Sequence, residues 1–410
     1  MSVRKGKKKD QTVGHLTAAE PVAGSSYGRR QFVTVGLFAG IGGIELGLDR
    51  AGHTTALFCE NDATATAVLK ARFPGIPVHP DIRDLAELPR GVSLLAGGFP
   101  CQDLSQAGMT AGITGSRSGL VGHVFRLLET HPVPWVLLEN VPFMLQLGKG
   151  KALEVIVREF ERLGYRWAYR VVDSRAFGLP QRRERVYFLA SLKGDPRDVL
   201  LADDTGEKAP SAADGVARGF YWTEGVRGLG WAVNAVPTLK GGSSIGIPSA
   251  PAIWMPDGTI VKPDIRDAER MQGFAPDWTK PAEAVLRKGY RWKLVGNAVT
   301  VDVATWIGER LAVPGDYAPL ADAPLRPGAR WPRAAWNMGK GRHVATVSAY
   351  PVRKRPAQLH KFLKYSPEML SVRGAAGFLS RTRTSSLRFP PGLLDAVEAH
   401  LRRMAAAEAA

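Results

Sequence analysis

The sequence predicts an α/β protein whose larger domain contains a parallel sheet of the nucleotide-binding type. Two observations lead to this prediction. An apolar segment rich in β-branched and aromatic residues, 32–38, runs into the glycine-rich turn 39–43, and a helical pattern follows. Several later apolar segments end in a carboxylate or a cysteine, and a parallel sheet brings such strand ends together at one edge.

Length and composition describe an ordinary soluble protein. The chain has 410 residues, enough for two or three domains, and 45% of them are hydrophobic. No apolar run approaches the roughly 20 residues of a membrane helix, and residues 1–10 lack the apolar stretch of a signal peptide. We therefore expect no membrane association and a cytoplasmic location. Two cysteines cannot form a disulfide framework, and no Cys/His spacing suggests a metal site, so no metal is expected.

The formal net charge is +17, and it is unevenly distributed along the chain. Residues 316–410 contain 16 Lys and Arg against 6 Asp and Glu, and residues 1–10 contain 5 against 1. Basic ends on a nearly neutral body favour a polyanionic partner, most simply nucleic acid bound through its phosphates. Charge alone is equally consistent with tails that serve solubility.

The first ordered elements predict a cofactor site. Order begins at Gln31, and the glycine turn lets backbone N–H groups at the helix start approach a ligand closely. The next predicted strand ends in Glu60, close to where Rossmann-type sites bind ribose hydroxyls, and the short strand 76–80 ends in another carboxylate, Asp81. No G-x-G-x-x-G or P-loop sequence is present, which disfavours a dinucleotide or a nucleoside triphosphate. A nucleoside cofactor without a phosphate chain remains, and S-adenosylmethionine is such a molecule.

Cys101 follows the buried strand predicted for residues 92–96 and a Gly-Gly-Phe-Pro sequence. The residues after it, Gln102–Gly119, are rich in Gly, Ser and Thr and suit a mobile lid. A thiol at a strand end beneath a movable loop is expected of a nucleophile, although a free cysteine is more often a small buried hydrophobe. Cys59, at the end of its own strand, is interpreted as a core residue.

Two further groups of polar residues follow apolar segments. The strand 135–138 runs into Glu139. Farther on, alternation predicts that Gln181, Arg183 and Arg185 share one face of a strand, where they could hold an anionic or carbonyl-bearing group. A solvated edge with ordinary surface arginines is the alternative.

Periodicity fades after residue 190, and short strand-like pieces appear among Pro, Gly and Asp. There the loop 236–244 is a candidate DNA contact, because Gly and Ser permit close backbone approach and Lys240 can meet a phosphate. An ordinary hairpin loop is the alternative. The predicted parts are a basic disordered tail 1–30, a cofactor-binding domain 31–190, an irregular β-rich domain 191–288, a return to the first domain 289–315 and a basic C-terminal extension 316–410.

Taken in this order, the segments resemble the C5-cytosine DNA methyltransferases over residues 33–312. The chain departs from the family pattern at Asp267, Ala268 and Ala275, outside the chemistry. The shared segments are the turn Phe38–Gly43, the acids Glu60 and Asp81, Pro100-Cys101-Gln102, Glu139-Asn140-Val141, Gln181-x-Arg183-x-Arg185, the stretch 266–274 ending in Gln-Gly-Phe, and Gly296-Asn297-Ala298-Val299.

The resemblance implies a Rossmann-like S-adenosylmethionine-dependent methyltransferase domain with a smaller target-recognition domain, of the bacterial or phage type. It implies methylation at C5 of a cytosine flipped out of duplex DNA, through a covalent bond between cysteine and C6. Glu139 would act at N3, Arg183 and Arg185 would hold the base carbonyl and the adjoining phosphate, and Arg185 would also orient Glu139.

Residues carried over by position form three sets. The catalytic set is Cys101, Glu139, Arg183 and Arg185. The cofactor set is Phe38, Gly40, Gly42, Gly43, Glu60, Asp81, Ile82, Pro100, Leu120, Asn297, Ala298 and Val299. The DNA set is Gln102, Ser105, Gln181, Lys240, Gly241, Gly242 and Ser243.

The implied partner is double-stranded DNA, with a role in restriction–modification or in protecting phage or host DNA. A monomer and a cognate restriction endonuclease that is not physically associated are further expectations. A tRNA cytosine-5 methyltransferase and a catalytically silent DNA-binding regulator with the same fold are the alternatives. Residues 316–410 are expected to add DNA contacts, with 353–355 and 381–388 at phosphates.

Overall fold

The computed structural model describes residues 29–100, 119–207, 215–241 and 250–410. The expectations for Cys101, Gln102, Ser105, Gly242 and Ser243, and for the tail before residue 29, lie outside these ranges.

The larger domain is built on the first strands of the chain. These are β1 (Val33–Leu37), β2 (Thr54–Cys59), β3 (Val78–His79), β4 (Leu94–Gly98), β5 (Trp135–Asn140), β6 (Arg166–Asp173), β7 (Gln181–Arg182) and β8 (Glu184–Ser191). Apart from β7, all belong to one ten-stranded sheet, in which β3-β2-β1-β4-β5 are parallel neighbours. β8 is antiparallel to both β5 and β6, so β6 runs in the same direction as β5. This architecture confirms the predicted α/β, Rossmann-like class.

The order of the strands fixes where a ligand binds. The chain order reverses between β1 and β4, and open α/β sheets bind ligands at the carboxyl ends of the strands beside such a reversal. β5 is buried along its whole length, as expected for a strand covered on both faces. The glycine turn after β1 and the end of β4, three residues before Cys101, therefore lie at the same edge.

Helices cover both faces of the sheet and build two apolar clusters on it. Asp62 caps the second helix by accepting hydrogen bonds from the backbone N–H groups of Thr64 and Ala65. Among the described helices, none combines the length and the apolar character that crossing a bilayer requires. The helices up to residue 312 are α1 (Gly43–Arg50), α2 (Ala63–Arg72), α3 (Leu120–Thr130), α4 (Lys151–Arg162), α5 (Arg197–Leu200), α6 (Ile265–Met271), α7 (Arg291–Asn297) and α8 (Val301–Ala312).

The smaller unit is an antiparallel five-stranded sheet of short strands. Its members are β9 (Arg218–Phe220), β10 (Ala232–Val233), β12 (Ala252–Trp254), β13 (Ile260–Lys262) and β17 (Glu368–Met369). The remaining short strand, β11 (Val236–Pro237), pairs with β7 and so connects the two units.

Residues 316–410, expected as an extension beyond the core, contribute to both sheets. The strands β14 (Ala323–Pro324), β15 (Ala334–Asn337) and β16 (Arg342–Val344) complete the edge of the large sheet, where β15 pairs with β6. The helices α10 (Val372–Thr382) and α11 (Leu393–Ala409) pack on the small sheet, and the short α9 (Leu359–Phe362) precedes them. Strands of two to four residues in a Pro- and Arg-rich segment have no periodicity to detect. The five predicted domain limits stay predictions.

Candidate cofactor cavity and active site

A cavity of about 260 Å³ lies at the carboxyl ends of the parallel strands. It is lined by nearly the whole set of residues expected at a cofactor, drawn from six separate parts of the sequence. Of that set, Gly42 is the residue that does not line it. The lining members are Phe38, Gly40, Gly43, Glu60, Asp81, Ile82, Pro100, Leu120, Asn297, Ala298 and Val299.

The turn after β1 has an unusual backbone. Phe38 has a φ of 52°, in the left-handed region that a bulky residue rarely adopts, and such strain concentrates at ligand sites. Gly42 also has a positive φ, and a Cβ there would lie 2.4 Å from the Phe73 ring. At Gly43 a Cβ would lie 2.7 Å from the carbonyl oxygen of Val299, so glycine lets the 297–299 segment approach α1. Gly42 therefore affects the shape of the turn, where it leaves room for the Phe73 ring, without lining the cavity.

Glu60 is fixed by the turn it faces. Its Oε2 accepts a hydrogen bond from the Gly40 N–H at 2.7 Å, and its Oε1 accepts one from the Asp62 N–H at 2.8 Å. Burial raises the pKa of this carboxyl group. A carboxylate offers about four acceptor sites, so two remain for hydroxyl donors such as those of a ribose. The free acceptor sites of Glu60 therefore fit the hydroxyl groups of a nucleoside.

Asp81, on the other side of the cavity, is held in the ionised form. The Arg83 guanidinium donates to both carboxylate oxygens, with Nε at 3.0 Å from each. Hydrogen bonds from the Arg83 side chain lower the pKa of Asp81 to about 2. Two residues that we did not predict, Asn61 and Asp62, also line the cavity. The signal for Asp62 was present, since an acid before an apolar helical pattern is a typical N-cap.

Glu139 ends β5 and lines the same cavity as the cofactor set. Its Oε1 lies 3.0 Å from Nε of Arg185, the arginine expected to orient it. Burial raises the pKa of Glu139, although the positive charges of Arg185 and Arg183 act in the opposite direction. The adjacent Asn140 donates from Nδ2 to the carbonyl oxygen of Phe99 at 3.0 Å. This bond ties the Glu139 strand to the backbone that leads into Cys101.

Gln181 and Arg183 have protein partners and do not line the cavity, in contrast to the expected contacts with DNA and the base. Gln181 is fully buried and donates to the carbonyl oxygen of Met271 at 3.0 Å. Its Oε1 accepts from the Leu239 N–H at 3.0 Å. The predicted alternation is seen in the burial, since Gln181 and Arg183 are buried and Arg182 between them is exposed.

Arg183 is 1% exposed and joins three backbone segments. Its guanidinium donates to the carbonyl oxygens of Leu239, Gly296 and Ala298, at 3.3, 3.2 and 2.6 Å. Burial lowers the pKa of Arg183 to about 9. Beside it, Gln272 donates to the carbonyl oxygen of Val295 at 2.9 Å. Sequence reasoning had assigned no role to Gln272, although it stands in the Gln-Gly-Phe segment.

The loop after β11 packs against residues 296 and 297, at the start of the segment that lines the cofactor cavity. A Cβ on Gly296 would lie 2.2 Å from the carbonyl carbon of Lys240, and one on Gly241 would lie 2.8 Å from Oδ1 of Asn297. The Lys240 ammonium is ion-paired with Glu224 and lies 3.8 Å from the centroid of the Tyr221 ring. Backbone of the second domain therefore touches the segment that lines the cavity.

Two arginines expected at phosphates are also engaged elsewhere. Arg381 donates to the carbonyl oxygens of Trp222 and Glu224, at 2.6 and 2.9 Å. Arg353 donates to the carbonyl oxygen of Gly206 at 2.8 Å. Both side chains hold the C-terminal residues to the rest of the chain. Among the described residues, no group of three or more His, Cys, Asp or Glu side chains is arranged to hold a metal ion.

Comparison with known proteins agrees with this site. The family model for C-5 cytosine-specific DNA methylase matches residues 32–214. Type II methyltransferase M2.BsuMI of Bacillus subtilis (strain 168) is 47% identical over 378 residues, which cover 89% of this chain and 97% of that protein. Type II methyltransferase M.NlaX of Neisseria lactamica is 38% identical over 311 residues, 68% of this chain and 96% of its own. The crystal structure of S. pombe Dnmt2 methyltransferase shares the fold, with a TM-score of 0.50 and 17% identity over 68% of this chain and 98% of its own. The chain belongs to the C-5 cytosine-specific DNA methylase family.

Proposed function

We propose that this protein is a DNA cytosine-5 methyltransferase that uses S-adenosylmethionine to methylate C5 of a cytosine in a specific duplex sequence. One observation carries the proposal. Glu139, the candidate proton partner of the base, lines the same cavity as Glu60 and Asp81, and Pro100, next to Cys101, lines it too. A methyl donor and a base bound there would be neighbours.

Different residues of the cavity would hold different parts of the cofactor. Glu60 offers acceptor sites for the ribose hydroxyls, and Gly40 and Gly43 bring backbone close to the ligand. Phe38 and Ile82 supply apolar walls. When bound, S-adenosylmethionine supplies an electrophilic methyl group. The absence of a phosphate-binding sequence is consistent with a cofactor that has no phosphate chain.

Cytosine C5 is a weak nucleophile, so the ring must first be activated. The Cys101 thiolate would attack C6 and form a carbon–sulfur bond, while N3 gains a proton or a strong hydrogen bond from Glu139. C5 then takes the methyl group, a base or water removes the C5 proton, and the carbon–sulfur bond breaks to return the thiolate. Because C6 is inaccessible within a duplex, the cytosine must leave the stack, as DNA methyltransferases require in general.

The surroundings of Glu139 suit this role. A raised pKa favours the protonated carboxyl group, which can donate to N3. Arg185, at 3.0 Å, orients the carboxyl group and remains the candidate for contact with the base. Arg183 is better described as a positioning residue, because its two terminal nitrogens, Nη1 and Nη2, donate to backbone carbonyl groups.

We further propose a role in restriction–modification, since the similar proteins are named type II methyltransferases. In this role the protein would be a monomer, bound to DNA in the cytoplasm. A partner endonuclease would act separately on the same sequence.

The decisive test uses duplex DNA in which 5-fluorocytosine replaces cytosine. Fluorine cannot leave as a cation, so the final elimination is blocked and a covalent complex should accumulate in the presence of S-adenosylmethionine. Cys101→Ala should give no complex. Cys59→Ala is the matched control and should still give it, because burial raises the pKa of the Cys59 thiol to about 12 and keeps it unreactive.

Two outcomes would contradict the proposal. A complex that persists with Cys101→Ala would exclude Cys101 as the nucleophile. Methylation of tRNA in preference to duplex DNA, in a direct competition, would move the protein to the RNA-modifying alternative.

A further inference from the structure

A second groove, of about 660 Å³, lies where the C-terminal strands join the large sheet. One wall is the start of α4, with Lys149 and Lys151, and the other is the 325–331 segment, with Arg326 and Trp331. Nε1 of Trp331 donates to the carbonyl oxygen of Gly150 at 3.1 Å and holds the two walls together. We call this feature the flanking groove.

The strand register places the Trp331 end of the flanking groove at the active-site edge of the sheet. Glu139 pairs with Tyr187, Tyr187 with Arg170, and Arg170 with Ala334, so these four residues form one row across β5, β8, β6 and β15. Three strand spacings of about 4.8 Å put Ala334 about 14 Å from Glu139. Because β15 is antiparallel to β6, the residues before Ala334 extend from this row toward the edge where the cavity lies.

The carboxylates of the groove are already paired. Glu154 binds Arg158 and Arg342, and Glu161 binds Arg342 through the other nitrogen of its guanidinium. The charges of Glu154, Glu161, Arg158 and Arg342 therefore balance one another and add little to the attraction of an external ligand.

The remaining cations are free to bind an external anion. Lys149, Lys151 and Arg326 are exposed. Within the part of the chain that the structure describes, none of the three has a carboxylate partner. The groove is thus a concave basic surface that begins at the same edge as Glu139, with Lys149 and Lys151 beside Trp331, and its shape and charge match a string of phosphates better than one small anion.

We propose that the flanking groove binds backbone phosphates of the DNA duplex beside the methylated site. Duplex DNA advances about 3.4 Å per base pair, so a groove that begins beyond Ala334, about 14 Å from Glu139, would meet phosphates about four or more base pairs from the target cytosine. This inference rests on the proposed function, which makes duplex DNA the substrate. It assigns to the C-terminal residues a DNA contact outside the target-recognition domain.

The test compares two triple variants with equal loss of charge. The groove variant is Lys149→Gln/Lys151→Gln/Arg326→Gln. The control variant, Arg90→Gln/Arg166→Gln/Lys193→Gln, changes exposed cations beside the opposite ends of the strands, before β4, at the start of β6 and after β8. Binding to a duplex of about 30 base pairs is measured over a range of salt concentrations.

Each lost phosphate contact lowers the slope of log K against log salt by about 0.9, so the groove variant should lose about 2 to 3 from the slope. The control should stay close to wild type. Sequencing of DNA from expressing cells locates the methylated site. On duplexes that end about three base pairs from that site, the two variants should have the same salt slope. Equal slopes, or a difference that persists on the short duplexes, would overturn the proposal.

A measurement on the unaltered protein does not depend on how the variants fold. Ethylation of single phosphates should interfere with binding at positions about four or more base pairs from the target cytosine, on one side of it. Interference confined to the immediate neighbours of the target would refute the groove contact. Absence of methylation in the expressing cells would instead refute the proposed function, so the two failures are distinguishable.

Discussion

Two buried carboxyl groups near the cavity, those of Glu139 and Glu45, differ in their ion-pair and hydrogen-bond partners. Glu139 has Arg185 at 3.0 Å and lines the cavity. Glu45 is 1% exposed, and among the described residues neither of its carboxyl oxygens has a hydrogen-bond partner. Burial raises the pKa of Glu45 to about 8. The folded protein therefore keeps Glu45 neutral at physiological pH.

Glu45 should make the protein less stable as the pH rises. The folded state keeps the Glu45 proton up to about pH 8, whereas the unfolded chain loses it near the ordinary glutamate pKa of 4.5. Between these values the unfolded state binds fewer protons, so the free energy of unfolding falls by up to about 1.4 kcal/mol per pH unit. Glu45→Gln removes this decrease. Its stability should match wild type at about pH 5 and exceed it by an increasing margin toward about pH 8.

Urea unfolding over this pH range measures the effect. Glu87→Gln is the control, because the Glu87 side chain is 87% exposed. Parallel pH profiles for wild type and Glu45→Gln would contradict the assigned pKa.

Glu139→Gln should impair the reaction far more than binding. Loss of a general acid typically lowers the rate by about 10²- to 10⁴-fold. The wild-type rate should also fall as the pH rises through the raised pKa of Glu139, because the protonated form disappears. The variant should lose this limb of the pH profile and retain its affinity for S-adenosylmethionine. Single-turnover methylation across pH, with calorimetry of cofactor binding, distinguishes the two effects.

At the scale of elements, Arg183 connects the loop after β11 to the end of α7. The same loop leads into the target-recognition residues, and α7 leads into the residues that line the cavity. A Cβ at Gly296 would lie 2.2 Å from the carbonyl carbon of Lys240, and backbone cannot move aside as a flexible side chain can. The junction therefore depends on glycine at this position.

Gly296→Ala should separate the two segments and weaken cofactor and DNA binding together. Overpacking of this kind typically reduces stability by about 1–3 kcal/mol. Gly377→Ala is the matched control, since the nearest atom to an added Cβ is Nη1 of Arg381 at 3.4 Å, an ordinary contact distance, and alanine favours a helix. Calorimetry of cofactor binding, with and without duplex DNA, measures the effect. Unchanged cofactor affinity in Gly296→Ala would show that the junction does not couple the sites.

The sequence predicted the elements whose pattern is local. The β1–turn–α1 unit and the acids at the strand ends follow from short segments, and the structure brings Glu60, Asp81 and Glu139 to one cavity. The environment of Arg183 could not be predicted, because its carbonyl partners are 56 to 115 residues away. Alternation predicted that Arg183 shares a face with Gln181, but it could not predict which backbone groups that face meets.

For the whole molecule, the C-terminal residues are part of the fold. β15 covers the β6 edge of the large sheet, and β17 extends the small one. Phe378, Leu393 and Val397 are fully buried against the small sheet. Composition alone suggested a separate tail because it counts the basic charge but cannot show that cations such as Arg342 and Arg381 hold these elements in place.

Deletion of residues 316–410 should therefore yield insoluble or unfolded protein, and not a weaker DNA-binding enzyme. Each large apolar side chain buried by this segment contributes about 1.5–3 kcal/mol, against a net stability of about 5–15 kcal/mol for a typical protein. Deletion of residues 405–410 is the control, because these residues are exposed at the end of α11 and their loss should leave the protein soluble. Soluble yield, circular dichroism and resistance to limited proteolysis compare the two truncations. A soluble protein of residues 1–315 that still methylates DNA would show that the C-terminal strands are dispensable, and the edge of β6 would then have to be stable without a partner.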